Sequence, residues 1–152
     1  MANFVVLHLE KAKGADAKMS AHIERTFIAR NVDESRIHLD RELIALPEGV
    51  KSRSAAIEHR IANANLKRKV GKNQVHAIRI MISASPEAME RIQQEGELDN
   101  WCEQSVEWTQ ETFGRENLVS AVLHMDEKTP HIHATVVPIV TTARRKKKAE
   151  DC

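Results

Sequence analysis

The stretch His124-Met-Asp-Glu-Lys-Thr-Pro-His-Ile-His133 decides the fold and contains three of the eight histidines of the chain. An apolar run at residues 117–123 precedes it, and a second apolar run at residues 134–140 follows it. Two strand-like runs joined by a short polar loop that ends in proline predict a β-hairpin. The chemistry of this chain is therefore expected at the turn of a hairpin late in the sequence.

The spacing of these histidines predicts a metal site. Side chains alternate between the two faces of a strand, so His131 and His133 share one face. If His124 pairs opposite His131, its ring lies on that face too, since opposed Cβ atoms are ~5 Å apart and diagonal neighbours ~7–8 Å. Three imidazoles then converge on one ion and leave its other coordination positions open, as catalysis requires.

Composition limits the class of protein. The 152 residues predict one domain over residues 1–141, and five consecutive basic residues within 142–152 look like the start of a linker to a region that is missing here. Two cysteines, Cys102 and Cys152, make no disulfide framework and favour a reducing compartment. Because no apolar run reaches the ~20 residues of a membrane span, we expect a cytoplasmic protein.

Charge is segregated along the chain. Residues 51–72 hold seven lysines and arginines and one glutamate, whereas residues 86–113 hold eight acidic residues and one arginine. Arg53, Arg60 and Lys67 recur every seven residues on a helix predicted over 52–69, which makes a basic stripe for a polyanion such as DNA. The alternative is a pair of solvated helix faces whose charges cancel.

The remaining segments predict an α+β fold. Its expected core is one central, largely antiparallel sheet with helices packed on it and the metal site on the C-terminal hairpin. Further strands are predicted at residues 3–10, 37–46 and 75–83. Helices are predicted at 20–29 with Ser20 as N-cap, and from Pro86 to Phe113 with a break at Gly96 and an end at Gly114.

A second chemical signal lies on the first predicted helix. His22 and Arg25 are three residues apart and are expected to share one helix face, while Ile23 and Phe27 anchor the helix on the sheet. The chain contains no tyrosine. Any covalent nucleophile is therefore a serine, threonine, cysteine, histidine, lysine or carboxylate.

Together these residues resemble a known family. The pattern from His124 to His133, apolar-His-x-x-Glu-x-x-Pro-His-apolar-His, looks like the metal motif of the MobV (Pre/Mob) plasmid mobilisation relaxases, which belong to the HUH endonuclease superfamily. His22-x-x-Arg25 and Asn31-x-Asp33-x-x-Arg36 are similar to the N-terminal motif of that family, in the same order and at approximately the same spacing. One departure is Asp40-Arg41, where an amide followed by an aromatic residue is expected.

This resemblance implies an HUH relaxase-like sandwich and a site- and strand-specific DNA nicking and closing enzyme that acts at an origin of transfer. By that analogy, His22 is the nucleophile of a metal-assisted transesterification and forms a 5′-phosphoramidate with the DNA. Glu127 is its acidic partner and is expected to reach His22, and Arg25 supports the site. The metal ligands are His124, His131 and His133, and the DNA-binding residues are Arg36, Arg53, Arg60 and Lys67.

The resemblance also implies cofactors and partners. The ion is expected to be manganese or magnesium, although zinc, nickel or cobalt suits imidazole ligands as well. The DNA is single-stranded or locally melted. Other relaxosome proteins and a dimer through a missing C-terminal region are further expectations, in the cytoplasm of a bacterium.

Three other interpretations stay open at this point. A structural zinc site would need a fourth protein ligand, for which Asp126 is available. A non-catalytic, metal-stabilised DNA-binding module would share the basic stripe but would give His22 and Glu127 no task. A replication initiator of the same superfamily usually carries a tyrosine nucleophile, which this chain lacks.

Overall fold

A five-stranded antiparallel sheet forms the centre of the molecule. The structure is a computed structural model that describes residues 5–140. Its strands are β1 (Val5–Lys13), β2 (Arg41–Glu42), β3 (Val75–Ala84), β4 (Leu118–His124) and β5 (His131–Val136). Its helices are α1 (Ala17–Ile23), α2 (Arg53–Ala62), α3 (Pro86–Gln94) and α4 (Leu98–Phe113), with 3-10 turns at Glu34–Leu39 and Arg115–Asn117.

The strand order is β1-β3-β5-β4-β2, and each neighbouring pair is antiparallel. In the β4–β5 hairpin His124 pairs directly with His131, as the sequence predicts. The predicted strand over residues 75–83 is also confirmed. The α+β class and the hairpin at its C-terminal end are therefore confirmed.

Alternation along β5 separates the core from the site. Ile132, Ala134 and Val136 belong to a core cluster with residues of α4, whereas His131, His133 and Thr135 point to the opposite face. A second core cluster fills that opposite face farther along the sheet, under α2. The histidines thus lie on the face that also carries α1 and α2.

The acidic segment forms α3 and α4 on the face away from the histidines. Ser85 caps α3 by accepting a hydrogen bond from the backbone N–H of Ala88, and Pro86 takes the first helical position, as predicted. The break at Gly96 and the end at Gly114 are confirmed too, and both glycines adopt positive φ. A ligand bound beside the histidines is therefore shielded by the sheet from most of the acidic side chains.

The predicted helix over 20–29 is wrong in its bounds. The helix α1 starts at Ala17, so Ser20 lies inside it and is buried rather than being its N-cap. It ends at Ile23 because Arg25 adopts a left-handed backbone with φ 59°. Ile23 is buried as predicted, but Phe27 lies beyond the helix and is 61% exposed, so it anchors nothing.

The predicted strand over 37–46 is mostly wrong as well. The Asp33 side chain accepts hydrogen bonds from the N–H and hydroxyl of Ser35 and so starts the 3-10 turn Glu34–Leu39. Only Arg41 and Glu42 pair with β4. The alternating pattern of this segment therefore reflects a turn rather than a strand.

The basic stripe predicted on the helix over 52–69 does not exist. Ser52 caps α2 as its polar side chain suggests, but the helix ends at Ala62, so Lys67 lies outside it. Arg53 is only 1% exposed, and its guanidinium binds Thr135, Ser20 and Asp16 inside the protein. Both Nε and Nη2 of Arg60 bind Asn117 Oδ1, at 3.1 and 3.0 Å. Three basic residues at heptad spacing thus occupy three different environments.

Several predictions concern residues outside the described range. The first two residues of the predicted strand over 3–10, the domain end at residue 141 and the basic segment 142–152 lie there. Within residues 5–140, no helix is both long and apolar enough to cross a bilayer.

Packing predicts a large contrast between two leucine positions. Leu123→Ala removes a fully buried side chain from the core between β4 and α4 and should lower the free energy of unfolding by about 2–5 kcal/mol. Leu9→Ala, at a 45% exposed position of β1, should cost less than about 1 kcal/mol. Urea unfolding of both variants checks this, and equal losses would contradict the described core.

Candidate active site

The three histidines of the hairpin come together with Glu127 in one group. One ligand atom from each of these four residues lies within 4.8 Å of all the others. The Nε2 atoms of His131 and His133 are 3.1 Å apart, and the ring centroid of His124 lies 4.8 Å from that of His133. This convergence follows from strand alternation and from the direct pairing of His124 with His131.

Backbone carbonyls fix which nitrogen of two rings faces the group. His124 Nε2 donates to the carbonyl of Ile23 at 2.9 Å, and His131 Nδ1 donates to the carbonyl of Thr129 at 2.9 Å. Because a carbonyl only accepts, each of these nitrogens carries the hydrogen, so His124 Nδ1 and His131 Nε2 present lone pairs. Histidines that bind metals are held in this way by their other nitrogen.

The donor set fits a divalent cation. His124 Nδ1 is buried, faces the group and has no hydrogen-bond partner in the described part of the chain. An unpaired buried acceptor is costly unless something binds it. Imidazole nitrogens with one carboxylate oxygen are ligands that suit manganese, zinc and related ions. The residues present therefore match a metal site.

Glu127 belongs to this group rather than to His22. Its Oε2 lies 3.3 Å from His131 Nε2 and 2.8 Å from Arg25 Nη2, and its Oε1 accepts a 2.6 Å hydrogen bond from Asn31 Nδ2. Burial opposes ionisation, but the close rings of His124 and His131 and the hydrogen bond from Arg25 hold the pKa of Glu127 far below its usual range. Within residues 5–140 no hydrogen bond joins Glu127 to His22, contrary to the expected contact.

Arg25 ties the end of α1 to the hairpin turn. Its Nε and Nη2 donate to the two carboxylate oxygens of Asp126 at 2.8 and 2.6 Å, and Nη1 donates to the carbonyl of His22 at 3.0 Å. The side chains of Arg25 and Asp126 are 5% and 0% exposed. Asp126 is therefore occupied by Arg25 and does not serve as the fourth ligand of a zinc site.

The segment after α1 wraps around the turn. Asp33 N–H donates to the carbonyl of Asp126 at 2.6 Å, and Arg36 Nε donates to the carbonyl of Met125 at 2.9 Å. Asp40 Oδ1 accepts from the N–H of Met125 at 2.6 Å. Neither Asn31 nor Asp40 is among the site residues expected from the sequence, although the spacing Asn31-x-Asp33-x-x-Arg36 indicates that this segment contributes to the site.

His22 lies in the last turn of α1, with its ring beside the metal group. Ring centroids are 6.1 Å apart for His22 and His133, and 6.3 Å for His22 and His124. Burial lowers the pKa of His22, and the Arg25 charge lowers it further. Burial and the neighbouring histidines lower the pKa of His133 to about 2. His131 differs, because Glu127 and the Thr129 carbonyl outweigh its burial and raise its pKa.

Asp40 stands where the family resemblance leads us to expect an amide. Burial and a hydrogen bond with Asp126 raise the pKa of Asp40 to about 6, while the Met125 N–H opposes the shift. A protonated Asp40 donates to Asp126 from one oxygen and accepts from Met125 with the other, as an asparagine does. The departure at this position therefore preserves the same hydrogen-bonding pattern.

Replacement of Asp40 by asparagine should show this in the pH dependence of stability. The folded-state pKa of Asp40 lies above its unfolded value of roughly 3.9. Asp40 therefore contributes fully to the free energy of unfolding when the pH is below the unfolded pKa, and this contribution is lost as the pH rises through about 6. As the pH rises from 4 to 8, the melting temperature of Asp40→Asn should therefore increase relative to that of the parent chain. Asp99→Asn, which removes an exposed carboxylate paired with Arg41, serves as control. A difference that stays constant with pH would contradict the assignment.

The chain is similar to proteins of plasmid mobilisation. The family described as plasmid recombination enzyme (Mob/Pre) matches residues 1–151. A 65 kDa protein of Zymomonas mobilis is 32% identical over 142 residues, which is 91% of this chain and 24% of that protein. A plasmid recombination enzyme of Bacillus thuringiensis is 28% identical over 148 residues, 95% of this chain and 32% of its own length.

Solved structures with the same fold are relaxase domains. A manganese-bound MobM relaxase domain with plasmid pMV158 origin-of-transfer DNA superimposes with a TM-score of 0.80 at 24% identity, over 97% of this chain and 79% of that chain. A second such complex has a TM-score of 0.77 at 26% identity, over 90% and 69% of the two chains.

This chain spans about a quarter to a third of the length of these two curated relatives. The family match nevertheless covers nearly the whole of residues 1–152. The chain therefore belongs to the plasmid recombination enzyme (Mob/Pre) family.

Proposed function

We propose that this chain is the nuclease domain of a relaxase, which nicks and rejoins one strand of DNA at an origin of transfer. The observation that carries the proposal is the placement of His22, which is half-buried and has its ring centroid 6.1 Å from that of His133, a member of the group of three histidines and Glu127. The similarity to a relaxase domain solved with manganese and origin-of-transfer DNA supports the same assignment.

The residues that would hold the metal are His124, His131 and His133, with Glu127 facing the same point. When bound, a divalent ion such as manganese or magnesium withdraws charge from the non-bridging oxygens of a phosphodiester. Arg25 and Asn31 keep Glu127 in place, since each donates to a different oxygen of its carboxylate. The negative charge of Glu127 also acts on His22 and favours positive charge on that ring.

His22 is the proposed nucleophile. A neutral imidazole nitrogen attacks phosphorus, the bond from phosphorus to the 3′ oxygen breaks, and that oxygen leaves as a 3′-hydroxyl after it gains a proton. The product is a 5′-phosphoramidate on His22. This P–N bond keeps the energy of the phosphodiester, so the reverse attack by a 3′-hydroxyl rejoins the strand. The hydrogen bond from Arg25 to the His22 carbonyl holds the backbone of the nucleophile in place.

The DNA would lie on the face of the sheet that carries the histidines. Arg36 is exposed beside the hairpin turn and Lys67 is exposed after α2, so both remain predicted phosphate contacts, with Arg60 as a half-buried third. The acidic helices α3 and α4 pack on the other face, away from this path. Single-stranded origin DNA, relaxosome proteins and a dimer of the full-length protein are the partners that we propose.

Loss of a single ligand should remove metal binding. His133→Ala should lower manganese affinity by at least ~10-fold, because it deletes one of the facing nitrogens from a group held by its neighbours. Isothermal titration with manganese measures this. His8→Ala removes a histidine that is exposed on β1 and should leave the affinity unchanged. Equal affinity in the His133→Ala and parent proteins would exclude the proposed metal site.

The identity of the nucleophile can be tested by chemical mapping. With manganese and an origin-bearing oligonucleotide, the parent protein should form a covalent adduct that acid cleaves and base does not, as expected for a bond between phosphorus and a histidine nitrogen. Mass mapping should place the nucleotide on the peptide Met19–Arg25. His22→Ala should bind manganese and DNA normally and form no adduct, whereas His38→Ala, an exposed histidine of the 3-10 turn, should form it normally.

Two results would overturn this assignment. One is full strand cleavage by His22→Ala, and the other is a nucleotide mapped to a peptide that lacks residue 22.

A further inference from the structure

Arg53 is the bulkiest fully buried side chain of residues 5–140 and lies directly behind the site. Its Nε donates to Thr135 Oγ1 at 2.7 Å, its Nη1 donates to Ser20 Oγ at 3.1 Å, and its Nη2 binds Asp16 Oδ2 at 3.1 Å. One guanidinium thus spans α1, α2 and β5. Its predicted role as a DNA contact is incompatible with this burial.

The partners of Arg53 lie next to the reactive residues in sequence. Ser20 precedes His22 by two residues on α1, and Thr135 follows His133 by two residues on the same face of β5. The backbone N–H of Arg53 adds a further link, because it donates to Glu24 Oε2 at 2.8 Å just beyond α1. Arg53 therefore binds residues at both ends of the short helix α1, and it binds β5 through Thr135.

Asp16 balances the charge of this buried cation. Its carboxylate also accepts from Arg79 of β3, with Arg79 Nε 2.8 Å from Oδ2 and Arg79 Nη2 2.7 Å from Oδ1. Asp16 adopts a left-handed backbone with φ 56°, which residues other than glycine rarely do. The start of α1 is thus held at a strained residue by two arginines from two other elements.

Stability alone does not explain a buried arginine here. Burial lowers the pKa of Arg53, which reflects the cost of removing its charge from water. Apolar side chains of similar volume often replace a buried ion pair with no loss of stability. What they lack is the planar fork, which fixes several acceptors at defined distances and angles.

We propose that Arg53 is a positioning residue that sets the height of α1 above β5, and with it the distance between the His22 ring and the metal ligands. The inference rests on the proposed function for its catalytic meaning, but its geometric content is independent of that function. The His22 and His133 ring centroids are 6.1 Å apart. A misplacement of about 1 Å in a reacting group can cost on the order of 10²-fold in rate.

The test removes one directional bond and leaves every charge paired. Thr135→Val deletes the Oγ1 acceptor of Arg53 with little change of shape. Thr109→Val is the matched control, because Thr109 is equally buried in α4 on the other face of the sheet and loses a hydroxyl bond to the carbonyl of Ser105. Arg53→Lys keeps the charge beside Asp16 but lacks the fork, so it should behave like Thr135→Val.

Two measurements distinguish an effect on the position of His22 from an effect on the rate of its reaction. Paramagnetic broadening of the His22 ring signals by bound cobalt, whose fast electron relaxation keeps nearby signals observable, reports the distance from His22 to the ion. The single-turnover rate of adduct formation with manganese reports the reaction. Thr135→Val should change the broadening and slow the adduct by about 10–100-fold, with manganese affinity and DNA affinity unchanged. Thr109→Val should match the parent protein in all four quantities.

Unchanged His22 broadening in Thr135→Val would overturn the inference, whether or not the protein forms an adduct. A parent protein that binds manganese and DNA but forms no adduct would overturn the proposed function instead, and the broadening would still decide the role of Arg53. If Arg53→Lys does not fold, Thr135→Val alone remains decisive, since its charges stay paired.

Discussion

The buried ion pair between Arg25 and Asp126 is the interaction on which the rest of the site depends. It joins the residue just beyond α1 to the turn of the β4–β5 hairpin, two segments that are 101 residues apart in sequence. An isolated helix of seven residues is not stable in water, so α1 takes its position from such tertiary contacts. Removal of either partner would leave an uncompensated buried charge, at a cost of about 3–5 kcal/mol. The same guanidinium orients Glu127 and the backbone of His22, so one side chain aligns both halves of the site.

The donor atoms are oriented before any ligand arrives. The backbone carbonyls of Ile23 and Thr129 select the tautomers of His124 and His131. Arg25 and Asn31 fix the orientation of the Glu127 carboxylate, because each donates a hydrogen bond to a different oxygen. Groups fixed in this way pay no reorganisation energy when charge develops, which is the main physical advantage of a preformed polar site over water.

Sequence patterns predicted correctly those parts of the molecule that depend on interactions between residues close together in the sequence. Strand alternation and the loop ending in Pro130 were enough to place His124 opposite His131, and Ser85-Pro86, Gly96 and Gly114 marked the bounds of α3 and α4 correctly. The failures involve residues whose partners are distant in sequence. Heptad spacing placed Arg53 on a solvent-facing stripe, because nothing in its own segment reveals Asp16 or Thr135 as partners. Alternation over 37–46 likewise gave no sign that Asp40 binds the turn after β4.

The hydrogen bond from His124 to the carbonyl of Ile23 gives the molecule a thermodynamic linkage. His124 presents its other nitrogen to the proposed metal ion, and Ile23 is the neighbour of His22 in α1. Any free energy by which the ion favours one orientation of His124 is therefore shared with the end of the helix, and the coupling is reciprocal. An ordered α1, which carries the proposed nucleophile His22, raises the affinity for the ion by the same factor by which the ion orders the helix. Binding of the proposed metal ion and ordering of the helix that carries the proposed nucleophile, His22, are thus two measures of a single equilibrium.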